Sequence, residues 1–99
     1  MFGIFKDENS FKSYEELLEY ALEEFKKAGI KGFEIAKNAG FEEGGILEGN
    51  IIESELSECH DNLESKFLAI AKAQNFETKK IEELIVFAHK QIREFIFED

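Results

Sequence analysis

The chain has 99 residues, is 43% hydrophobic with 11 Phe and no Trp, and carries 22 acids against 12 bases, a net charge of −10. That length fits a single domain over residues 1–99, and the apolar content argues against a disordered chain. The charge disfavours direct DNA binding, and no run approaches the roughly 18 apolar residues of a membrane span. The single cysteine, Cys59, cannot form an internal disulfide, which fits a cytoplasmic location.

The chain opens on the apolar stretch Met1-Phe-Gly-Ile-Phe5, the one place where a strand pattern competes with helix. It lacks the basic and long hydrophobic regions of a signal peptide. Ser13 followed by Glu16 is a capping-box pattern. Beyond it Tyr14, Leu17, Leu18, Ala21, Leu22, Phe25 and Ala28 recur at helical spacing. With Lys26 and Lys27 near a stop at Gly29, the spacing predicts a first helix over 14–28. A two-turn second helix over 31–39 is closed by Gly40, and Phe41 to Gly49 reads as a connector.

Asn50 and Glu53 repeat the cap pattern. Ile52, Leu56, Cys59, Leu63, Phe67 and Ile70 then form a seam about 80° wide at 100° per residue, predicting a third helix over 50–74. Asn75 and Thr78 bracket a tight turn. A fourth helix places Ile81, Leu84, Ile85, Ala88, Ile92, Phe95 and Ile96 on one side. The expected fold is all-α, a compact four-helix array with a long antiparallel C-terminal helical hairpin. Val86, Phe87 and Phe97 point away from the main stripe of the last helix. The rest of the bundle covers them, or they are a self-association face, and a chain this small leaves a homodimer open.

Charge is unevenly placed. From Asn38 to Ser65 there is no Lys or Arg, and these 28 residues hold −8, while the remainder has 14 acids against 12 bases. A concentrated negative segment repels phosphate backbones and attracts cations. Glu42, Glu43, Glu48, Glu53, Glu58 and Asp61 are therefore the expected contacts for a protein partner with a basic surface. The alternative is a solvated face that aids solubility.

Residues Glu34 to Gly49 contain an Ile-Ala-x-x-Ala-Gly step with an aliphatic residue six positions on, and a helix over Leu17 to Gly29 precedes them. Together these resemble the helix-turn-helix of regulators of the tetracycline-repressor type, which implies a recognition helix near 42–49. That segment offers Glu42, Glu43 and Glu48 and none of the Arg, Lys, Asn or Gln that read base edges. A helical corner with Ala39 and Gly40 at a packing point is the preferred reading.

No other motif carries chemistry. Gly44, Gly45 and Gly49 match no phosphate-loop pattern, and no frame gives an EF-hand. Cys59 lies in the seam beside Glu58 and Asp61, a setting for a packed thiol rather than a nucleophile. His60 and His89 share an edge of their stripes at similar distance from the turn, so they are expected to approach one another as interface histidines, with a metal or proton-sensing site as the alternative. No catalytic residue, cofactor or metal is assigned, and an enzyme is not expected. The sequence favours a small acidic non-catalytic protein–protein interaction module. The alternative is a regulatory or inhibitory protein linked to nucleic acids, as a diverged helix-turn-helix or an acidic nucleic-acid mimic.

Overall fold

A computed structural model describes residues 11–97, so the expectations for Met1 to Phe5 lie outside the described residues. Three helices account for the fold: α1 (Tyr14–Asn38), α2 (Ile46–Gln74) and α3 (Thr78–Phe97). The all-α expectation holds, but there are three helices among the described residues where four were expected. The first two predicted helices are one.

Gly29 and Gly32 explain the merger. Neither stops α1, and both are buried where another helix comes close. A Cβ on Gly29 would lie 2.7 Å from Ile96 Cδ1 of α3, and one on Gly32 would lie 2.8 Å from Ile52 Cα of α2. At Gly32 the cost of glycine in a helix, about 1 kcal/mol, is offset by a backbone approach that a side chain would block, whereas at Gly29 the neighbour is only the tip of a side chain. The left-handed stop comes at Gly40, φ 81°. There the Gly40 N–H donates to Lys37 O and the Phe41 N–H to Ala36 O, both at 3.0 Å, a Schellman ending.

α2 starts at Ile46, four residues before the expected Asn50 cap. Its N-cap, Gly45, has no side chain to offer, and the Glu48 carboxylate instead accepts the Gly44 N–H at 2.8 Å. α1 begins the same way. Ser13 Oγ accepts the Glu16 N–H at 3.3 Å, and Glu16 reaches back to accept the Lys12 N–H at 2.8 Å. In both helices the third residue is a glutamate that secures the chain before the cap. Asn75, in left-handed conformation at φ 62°, ends α2 and permits the short turn into α3.

The helices run up, down and up. Tyr14 Oη accepts the Glu77 N–H at 2.9 Å, and Lys31 pairs with Glu55, so α1 and α2 are antiparallel. Arg93 against Glu53 and His89 against His60 make α2 and α3 antiparallel in turn. The core is Leu17, Ala21 and Phe25 of α1, Ile52, Leu56, Leu63 and Phe67 of α2, and Ile81, Ile85, Ala88 and Ile92 of α3. Phe95 departs from its expected place in the apolar stripe. It is 79% exposed, because α1 and α2 contact the adjoining side of α3 through Ile96 and Phe97.

Candidate interaction surface and the histidine pair

The two ends of the bundle differ. Where α1 begins, Phe11 is buried against Tyr20 and Phe67, with ring centroids 5.5 and 6.0 Å away. Gln74 holds it in place from both sides of its amide. The Phe11 N–H donates to Gln74 Oε1 at 3.2 Å, and Gln74 Nε2 donates to Phe11 O at 2.7 Å. Tyr14 and Phe76 pack edge to face alongside. Aromatic rings and satisfied amides seal this end.

The opposite end is built from the second half of α1, the connection to α2, the start of α2 and the last turn of α3. It gathers Ile30, Phe33, Ile35, Phe41, Ile46, Leu47, Phe95 and Phe97 among the exposed large apolar side chains, with Ile46 at 82% exposure. Two hollows flank Glu48. One, about 480 Å³, is lined by Phe33, Lys37, Phe41 and Glu43; the other, about 370 Å³, by Ile46, Ile52, Ile96 and Phe97. The segment that has no Lys or Arg enters this end through the connection and the start of α2, where Lys37 of α1 also lines the larger hollow and Arg93 of α3 binds Glu53.

The six expected acidic contacts do not share one role. Glu42, Glu43, Glu58 and Asp61 are exposed. Glu58 lines a polar groove between α1 and α2 with Glu24, Lys27 and Lys31. Glu48 is 9% exposed and braces the start of α2. Glu53 is gripped by Arg93, whose Nη2 lies 2.7 Å from Oε2 and whose Nε lies 3.0 Å from both oxygens. The Arg93 hydrogen bond holds the Glu53 carboxyl below its ordinary pKa against the opposing effect of burial. Val86 and Phe87 are exposed on the outer side of α3, away from the open end, and Phe97 lies at that end near the Arg93 guanidinium. Of the apolar residues of the open end, the sequence singled out Phe97 alone as a contact residue. The available signal was Ile46-Leu47 set among glycines and glutamates, where no core-facing periodicity accounts for them.

His60 and His89 do meet. Their Nδ1 atoms are 2.9 Å apart and their ring centroids 5.0 Å. Phe25 of α1, fully buried, stacks on His89 at 4.9 Å and 20° and presents toward His60 at 6.2 Å and 61°. Burial pushes the His89 pKa down, reinforced by His60 and Arg93 and opposed by Glu53. Cys59, half-buried, has its thiol pushed up to about 12 by burial and by Glu24, so it is not a nucleophile at neutral pH. Among the described residues no group of three or more His, Cys, Asp or Glu side chains is placed to hold a metal ion.

The helix-turn-helix geometry implied by the sequence resemblance is not formed by these residues. Leu17 to Asn38 lie on one continuous helix, and Phe41 to Gly45 are a connection rather than a recognition helix. No helix among the described residues is long and apolar enough to cross a membrane. Comparison with protein-family models, curated proteins and solved structures finds no match.

Proposed function

We propose that the open end is a recognition surface for a cationic amphipathic segment of a partner protein, and that the chain acts as a non-catalytic interaction module. The observation that carries this reading is the coincidence of two properties at one end. Eight large apolar side chains are exposed there, and the connection among them carries the exposed acids Glu42 and Glu43. Apolar anchors supply most of the affinity of such contacts, and complementary charge supplies orientation and association rate. Glu42 and Glu43 are exposed acids among the anchors, on the connection that lines the larger hollow. Asp61 and Glu58 extend the same sign of charge along α2.

The test uses a synthetic amphipathic peptide with Leu on one face and Lys on the other, beside the same peptide with Glu replacing Lys. The Lys peptide should bind and the Glu peptide should not. Binding should weaken steeply with salt, because exposed charges are screened within about 10 Å at 0.1 M. The double variant Glu42→Lys/Glu43→Lys should lose at least about tenfold in affinity, as should Leu47→Asp, with helicity retained. Equal binding of both peptides, or full binding by both variants, would leave the acidic segment as a solubility feature. Proteins captured from a lysate then distinguish the alternative role: a partner that itself binds nucleic acid, and is displaced from it, would make this an acidic inhibitor.

A further inference from the structure

We propose that His60 and His89 are joined across the seam of α2 and α3 by one Nδ1–H···Nδ1 hydrogen bond, and that they form a clasp which tolerates one added proton and is released by the second, freeing the last turns of α3. The inference concerns the inside of the bundle and is independent of what the open end binds. Its basis is the 2.9 Å separation of the two Nδ1 atoms. Each Nδ1 is either a donor with its hydrogen or an acceptor without it. Two bare nitrogens at that distance repel, and two N–H groups clash, so one ring carries the hydrogen and the other receives it.

The arrangement tolerates one added proton and not two. The first enters at the remote Nε2 of the donating ring and turns the contact into a charge-assisted hydrogen bond. The second has to enter at the accepting Nδ1. It then sets N–H against N–H and places two cations side by side, so the contact opens.

The rings have little freedom to relieve this by turning. Phe25 lies flat on His89 and edgewise to His60, and is itself fully buried. Charged groups face the pair from all three helices. α2 contributes Glu53, which favours the protonated form of His89, and α3 contributes Arg93, which opposes it; these two are bonded to each other. α1 contributes Glu24 beside Phe25, close enough to act on the Cys59 thiol next to His60. None of these groups lies between the two Nδ1 atoms.

Release has a direction. Past His89, α3 is held by Ile92 in the core, by Arg93 to Glu53, by Ile96 over Gly29 and by Phe97 against Gly49. Those are its last two turns. Parting His89 from His60 removes the attachment at the head of these turns and leaves them to Ile92 and the Arg93–Glu53 pair, whereas the N-terminal half of α3 stays held by Ile81, Ile85 and Ala88 in the core.

Proton NMR of the untagged protein tests the proposal directly, since the chain has only two histidines. The wild-type imidazole resonances should titrate in two steps separated by more than about one pH unit, the mark of strongly coupled sites. In His60→Gln and in His89→Gln the surviving ring should titrate in a single step. Independent wild-type titrations, with midpoints unchanged in the single variants, would overturn the hydrogen bond between the rings. Should a variant not fold, ring ¹⁵N shifts of the wild type at neutral pH decide alone: one Nδ1 protonated and one bare is expected, and two alike refutes it. Amide exchange, normalised for intrinsic rate, tests the release. Protection of residues 92–97 should fall across the second step in wild type and persist over the same range in His60→Gln. Unchanged wild-type protection across that step would refute the clasp.

Discussion

A single carboxylate secures the connection between α1 and α2. Glu48 is nearly buried and accepts the Gly44 N–H, and it stands in the wall of both hollows at the open end. Gly44 is exposed, so its amide can turn to water once the carboxylate is removed, and the loss is that of one net hydrogen bond, about 1 kcal/mol. Glu48→Ala is therefore expected to lower the urea midpoint at unchanged m-value, and Glu48→Gln, which keeps an acceptor oxygen, to recover most of the loss. Charge counting could not distinguish Glu48 from Glu42 or Glu43, because a carboxylate used as a cap and one left in water are the same letter. The helical position separates them. Glu16 at the start of α1 was legible through the serine before it; Glu48 follows glycines, and that signal is missing.

At the scale of helices, the two inner glycines of α1 make a contrasting pair. The neighbour of Gly29 is the tip of the Ile96 side chain, free to rotate away, so Gly29→Ala should be neutral or stabilising by up to about 1 kcal/mol from helix propensity. The neighbour of Gly32 is the backbone of Ile52, which cannot yield without moving α2. Gly32→Ala should be destabilising by about 1–3 kcal/mol despite the same gain in propensity. Equilibrium denaturation of the two variants checks the contrast. It also explains what the sequence hid. The apolar repeat located α2 and α3 and nearly all their buried residues, because their seams are long and free of glycine. A glycine between periodic segments is ambiguous: it ends a helix when its φ turns positive, as at Gly40, and continues one when a neighbour fills its space, as at Gly32.

For the whole molecule, the seam of α2 and α3 sets the response to acid. His89 has its pKa lowered in the folded state from 6.5, so below about that pH the unfolded chain takes up protons that the fold resists, and stability falls as pH drops. Glu53 is lowered from 4.5, and its contribution is present above that value and lost as pH falls through the folded pKa. Both effects have the same sign. Thermal unfolding between pH 7.5 and 3.5 should show a melting temperature that declines in two stages. His89→Gln should flatten the first and Arg93→Gln the second. The meeting of the two histidines was legible because antiparallel geometry follows from a short turn between long seams. The open end was not, since its apolar residues come from three separate stretches that only the fold brings together.

The amide of Gln74 bonds both backbone groups of Phe11, a residue 63 positions earlier in the chain. The turn from α2 to α3 joins neighbours, whereas this bond closes nearly two thirds of the polypeptide into a ring and pays its loop entropy only once the helices are already docked. The sealing of that end is therefore expected late in folding, after the rate-limiting barrier. Gln74→Ala should then accelerate unfolding and leave the refolding rate nearly unchanged, a φ-value near zero in a stopped-flow chevron. The protein would meet its transition state with that end still gaping and owe its lifetime, rather than its speed of formation, to one side-chain amide.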